Sequence, residues 1–142
     1  MDNARSENRQ MKITNKIGAI ILRDKKILVV KKKGLDTFIS PGGMVEGEET
    51  PEQTLRRELK EELGVELINK TPFDIFTDKA AYEKDTRLIL YTYFVETKGE
   101  FKPMSEIESL AWIGKDYKKQ DIKVASILEK FIIPKLIEMK LL

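Results

Sequence analysis

The stretch TPEQTLRRELKEELG, residues 50–64, constrains this chain more than any other. It encodes a helix with both of its ends specified. Thr50 offers a side-chain acceptor for the N-cap, and Pro51 suits the first helical position, where a missing N–H costs nothing. Gln53 stands where its amide can reach back and complete a capping box. Leu55, Leu59 and Leu63 recur every four residues and form one apolar face. Gly64 follows directly, where a left-handed residue ends a helix. The spacing predicts a helix over residues 51–63.

The rest of the chain reads mainly as strands. Residues 16–23 (KIGAIILR) and 26–30 (KILVV) are β-rich runs separated by Asp24-Lys25, a tight hairpin. A loop is expected at 34–36, a short strand at 37–40, and a break in regular structure at Pro41-Gly42-Gly43. Beyond the helix, 65–68 and 73–77 read as strands, and 88–95 (LILYTYFV) is the strongest strand pattern of all. Residues 104–109 read as a loop or short helix, 110–113 as a short strand, and 124–139 as a helix kinked at Pro134. There is no internal repeat or linker, and 142 residues suit one domain with a real core. The expected fold is α/β (α+β), a sandwich of mixed strands around one central helix with a second helix at the C-terminus. The polar residues 1–11 are expected to be a disordered leader, and 12–142 the domain.

Composition removes whole classes of chemistry. The chain has no Cys and no His. That excludes disulfides, thiolate nucleophiles, imidazole acid/base catalysis and Cys- or His-ligated zinc. Catalysis must rest on carboxylates, Lys, Arg, Tyr, hydroxyls or a hard metal ion. The lack of Cys is compatible with a reducing cytoplasm, the expected location. With 26 Lys+Arg against 24 Asp+Glu, the net charge of +2 gives no ground for a stable nucleic-acid complex. No apolar run approaches the roughly 20 residues of a membrane span, and no membrane partner is expected. Lys31, Lys32 and Lys33 are either a solvated strand end or a contact for an anionic ligand; alternation sends Lys32 to the face opposite the other two.

Glu58, Glu61 and Glu62 lie at i, i+3 and i+4 of the capped helix, within an arc of about 100° beside the leucine face. Like charges at these spacings oppose the helix, and partial burial worsens the conflict. Taken alone, the trio is either a solvated acidic face balanced by Arg56, Arg57 and Lys60, or a set of oxygen ligands for a cation such as Mg²⁺.

The wider spacing resolves that choice. Gly43, Glu49 and the run Arg57-Glu58-Leu59-Lys60-Glu61-Glu62-Leu63-Gly64-Val65 match G-x5-E-x7-R-E-U-x-E-E-x-G-U, with U aliphatic, at every position. The pattern resembles the Nudix box of the Nudix hydrolase family, in its MutT-like form. Pro41-Gly42 and Glu46-Gly47-Glu48 are similar to the usual approach to that box. A chance match is on the order of one in a million.

The resemblance implies a Nudix-type α/β/α sandwich with a mixed sheet and a loop-helix-loop. It implies a Mg²⁺-dependent hydrolase, with Mn²⁺ as substitute, that cleaves a pyrophosphate in a nucleoside diphosphate linked to another group. The substrate is then a small-molecule nucleotide. By similarity, Glu58, Glu61 and Glu62 hold metal together with the Gly43 carbonyl, and Arg57 and Glu49 form a supporting ion pair. With no His, a carboxylate base is expected: Glu58, or an acid outside the box, where Glu106 is preferred to Glu108. ADP-ribose hydrolases of the family often carry a proline where this chain has Ala80 and Ala81. Diadenosine polyphosphate hydrolases often carry a tyrosine where it has Tyr82. Trp112, Tyr91, Tyr93 and Phe94 are expected mostly in core packing. Family members often form homodimers, and the apolar C-terminal stretch is where one would form. The alternative reading is a catalytically silent nucleotide-binding module, which usually carries a damaged box.

Overall fold

The central helix forms as its sequence specifies. A computed structural model describes residues 11–142. In it α1 spans Pro51–Leu63, with the Thr50–Gln53 capping box closed in both directions and Gly64 at φ 70° ending it. Leu55, Leu59 and Leu63 are fully buried. Each contributes roughly 1.5–3 kcal/mol through the apolar area it removes from water.

The strands that receive α1 are β1 (Lys12–Ile20), β2 (Leu22–Arg23), β3 (Lys26–Lys32), β4 (Gly42–Gly43), β5 (Glu66–Lys79), β6 (Thr86–Lys98) and β7 (Ile107–Ile113). They make a mixed four-stranded sheet, β4-β1-β6-β5, and an antiparallel three-stranded sheet, β2-β3-β7. Among the named strands of the described residues, β1 and β6 pair in parallel and the other pairs are antiparallel. The β2–β3 turn is Asp24-Lys25, both with positive φ, the geometry that suits the twist of a two-residue hairpin.

Alternation along the strands divides the core in two. Leu28 and Val30 of β3 face α1, while Ile27 and Val29 face the C-terminal helix. A layer of strands between two helical layers is the expected sandwich. The C-terminal segment includes α2 (Ile133–Glu138) and, before it, a widened helical turn at Leu128–Ile132, where the Ile133 N–H donates to the Leu128 carbonyl. Pro134 has no N–H to give the regular ladder, so the anticipated kink is taken up as this wide turn. Val124, Ile127, Leu128, Ile132 and Leu136 are buried, and Phe131 and Ile137 are exposed.

Four expectations need correction. Gly42-Gly43 does not break the structure but pairs with Gly18 and Ile17 as β4. Residues 37–40 make only isolated bridges, Ile39 to Val30 and Phe38 to Val124. The two strands expected at 65–68 and 73–77 are one strand, β5, because bulges after Leu67 and Pro72 absorb the turn-like residues between them. Residues 107–109 belong to β7, not to a loop or short helix. Residues 1–10 of the expected leader lie outside the described residues. No helix among the described residues is long and apolar enough to cross a membrane.

Candidate active site

The two residues of β4 position the acidic face of α1. Gly42 has φ +134°, and a Cβ there would lie 2.0 Å from the Ile17 carbonyl oxygen. Only glycine lets the chain pair this closely with β1. Its N–H donates to Glu62 Oε1 at 3.0 Å. At Gly43 a Cβ would lie 1.9 Å from Glu58 Oε2, so backbone and carboxylate are in near contact.

Helical geometry then grades the three glutamates. From the centre of the leucine face, Glu62 is turned by about 60°, Glu58 by about 100° and Glu61 by about 160°. Burial follows that order: Glu62 is 3% exposed, while the side chains of Glu58 and Glu61 are 14% and 53% exposed. Burial pushes Glu62 up to about 8, against the opposing pull of the Gly42 N–H. It also raises Glu58, although Arg57 counteracts it.

Arg57 ties the loop to the helix. Its Nε and Nη2 donate to Glu49 Oε2 and Oε1 at 2.7 and 3.0 Å, a bidentate pair. Nη2 also donates to the Met44 carbonyl at 2.9 Å. Nη1 stands 3.2 Å from Glu58, 3.4 Å from Glu46 and 3.5 Å from Glu61. Glu49 further accepts from the Glu46 N–H and the Thr54 hydroxyl. Arg57, first among these partners, holds Glu49 down at about 2. A carboxyl lowered on folding stabilises the fold above its unfolded value near 4.5, and that share is lost as pH falls toward 2. The melting temperature is therefore expected to drop across pH 4.5–2, and less steeply in Glu49→Gln; parallel slopes would mean the pair carries no linkage.

The NUDIX domain family matches residues 12–127 of this chain. The chain belongs to that family. It is 38% identical over 55 residues to an 8-oxo-dGTP diphosphatase of Haemophilus influenzae, a match covering 39% of this chain and 38% of that protein. It is 29% identical over 101 residues to a MutT-like protein of Streptomyces ambofaciens, covering 70% and 62%. These matches thus span less than two thirds of either relative. Among solved structures, a MutT NUDIX hydrolase from Burkholderia pseudomallei superposes with a TM-score of 0.63 at 28% identity, covering 72% of this chain and 84% of that one.

In this Nudix chain Glu58 and Glu62 line a cleft together with Gly43, Glu46, Glu106 and Lys32, whereas Glu61, its side chain half exposed, does not line it. Lys32 Nζ stands 3.4 Å from Glu106 Oε1. Glu108 is exposed and does not line the cleft. Carboxylate and carbonyl oxygens are the donor set of a hard cation. Among the described residues no three acidic side chains converge as a formed metal cluster. Arg57 Nη1 lies instead between Glu58 and Glu61, and it supplies the positive charge there.

The other residues singled out in the sequence separate cleanly. Trp112 packs edge-on to Phe101 and beneath Arg23. Tyr91 and Tyr93 pack toward the α1 core, and Phe94 against Phe73. Lys31 lies over the Phe38 ring, on the face away from Lys32. The Tyr82 hydroxyl donates to the Thr37 carbonyl, and Tyr82 walls an apolar cavity next to the cleft. Lys16 and Ser40 also line the cleft. No local pattern marks them, because the pairing of β1 with β4 and β6 brings them there.

Proposed function

We propose that this chain is a Mg²⁺-dependent Nudix pyrophosphohydrolase, with Mn²⁺ able to substitute, acting on a nucleoside diphosphate linked to another group. Nucleoside triphosphates, oxidised ones included, head the candidate substrates, because similar relatives are 8-oxo-dGTP diphosphatases. Dinucleoside polyphosphates, nucleotide sugars and ADP-ribose follow. The observation that carries this reading is Glu62, a nearly buried carboxylate facing a cleft with other acids, whose charge is costly there without a cation.

In this reading Glu58, Glu61, Glu62 and the Gly43 carbonyl hold the cation. When bound, it neutralises phosphate oxygens and makes water more acidic. The reaction is attack of water oxygen on phosphorus with cleavage of the bridging P–O bond, the electron pair leaving on the departing phosphate. A carboxylate takes the water proton. Glu58 and Glu106 are the candidates, and Lys32 stands beside Glu106. Arg57 and Glu49 keep loop and helix in register, so the carboxylates need not rearrange as charge develops.

The test is a hydrolysis panel with Mg²⁺, Mn²⁺ or chelator, with products identified by mass spectrometry after reaction in ¹⁸O-water. Metal-dependent cleavage of one substrate class, with label on one product phosphate, is the expected result. Metal binding and nucleotide binding without turnover across the panel would favour the silent binding module.

A further inference from the structure

The carboxylate cleft and the apolar cavity share a waist. Lys16, Lys32, Ile39, Ser40 and Leu90 line both. Beyond the waist the cavity is lined by apolar Leu88, Ala125 and Ile127, and also by Lys79 and Glu83. On the near side stand Glu46, Glu58, Glu62 and Glu106, an acidic surface that repels a polyanion.

The waist holds the compensating groups. The charge of Lys32 is shared with Glu106 at 3.4 Å. Lys16 lies across from Leu90 in the β1–β6 register, and no carboxylate among the described residues pairs with it. The Ser40 hydroxyl is buried with no hydrogen-bond partner. Its backbone neighbours are both tied down, since Ile39 exchanges hydrogen bonds with Val30 and the Pro41 carbonyl accepts from Ala19. The backbone at Ser40 is therefore fixed where cleft and cavity meet, and its hydroxyl has no partner within the protein.

We propose that Lys16 and Ser40 bind the phosphate next to the nucleoside, so that the nucleoside end occupies the apolar cavity and the remaining phosphates run to the glutamates. This rests on the nucleotide reading above and adds the residues that anchor the phosphate next to the nucleoside. An ammonium and a hydroxyl lining the same waist suit a phosphate oxygen, because both can donate to it and one carries the opposite charge. The anchor acts on the nucleoside monophosphate half of the substrate, so it holds one product as well.

The test uses metal-free protein and titration calorimetry with dGMP and with deoxyguanosine. Wild type is expected to prefer dGMP by about tenfold, the size of one charge-assisted contact. Lys16→Met should bring the two ligands to near parity, Ser40→Ala should lose part of the preference, and Lys12→Met, on the same strand but outside both cavities, should keep it. In turnover Lys16→Met should act mainly on KM. An intact preference in Lys16→Met, with an unchanged melting temperature, would overturn the anchor and leave the nucleotide reading standing. Failure of wild type to bind either ligand or any other nucleotide of the panel would overturn both.

Discussion

Glu62→Gln is expected to lower turnover by roughly 10³-fold, about 4 kcal/mol of barrier, while the fold survives. The substitution keeps size and shape, and the amide oxygen can still accept from the Gly42 N–H that now meets Glu62 Oε1. What disappears is a negative charge at the most buried point of the acidic face. The same variant has a second signature. An acid whose folded value is raised to about 8 from 4.5 holds its proton longer in the folded state. Metal-free stability should therefore fall as pH rises between about 4.5 and 8, and added Mg²⁺ should restore most at the alkaline end. Urea midpoints in chelator at pH 5 and pH 8.5 measure this, and Glu62→Gln should flatten the difference. Turnover within tenfold of wild type would sink the assignment of Glu62 to the metal.

Gly42→Ala is expected to be the most damaging single methyl in the site region, at a cost of about 3 kcal/mol or more. Two penalties add. The residue would sit at φ +134°, a conformation that L side chains rarely adopt. Its Cβ would also meet the Ile17 carbonyl oxygen at 2.0 Å, a backbone atom held in the sheet and unable to swing aside. Gly47→Ala is the control: φ is positive there too, but nothing stands within 4 Å, so strain alone applies, about 1 kcal/mol. Thermal melts of the two variants decide the matter. Equal losses would mean that β4 gives way freely and does not hold the glutamates in place.

Much of the site was legible because its logic is local. Caps, the four-residue leucine repeat and the glutamate spacing all act within a turn or two of helix. They specify α1 and set the acidic trio beside the apolar face, although only Glu62 proves buried there and Glu61 is turned away from it. The Arg57–Glu49 clasp is nearly as local, since a short loop and two helical turns separate the partners. The strands were legible in kind but not in extent. Asn69 to Pro72 looks like a turn, and only pairing with β6 makes it a bulged continuation of β5. Gly42-Gly43 looks like a break for the same reason, until β1 offers it a partner.

The sequence by itself determined the central helix, the sandwich class, the chemistry available to a chain without Cys or His, and the residues of the box. Tertiary structure alone decided how deeply each glutamate is buried, that Glu106 rather than Glu108 faces them, and that Lys16 and Ser40 stand where cleft and cavity meet. The division has a physical cause. Helical neighbours are set by a fixed rise and rotation per residue. A cleft wall assembled from β1, β3, β6 and the loops before α1 and β7 depends on sheet register and on burial, which arise only when distant segments compete for one core.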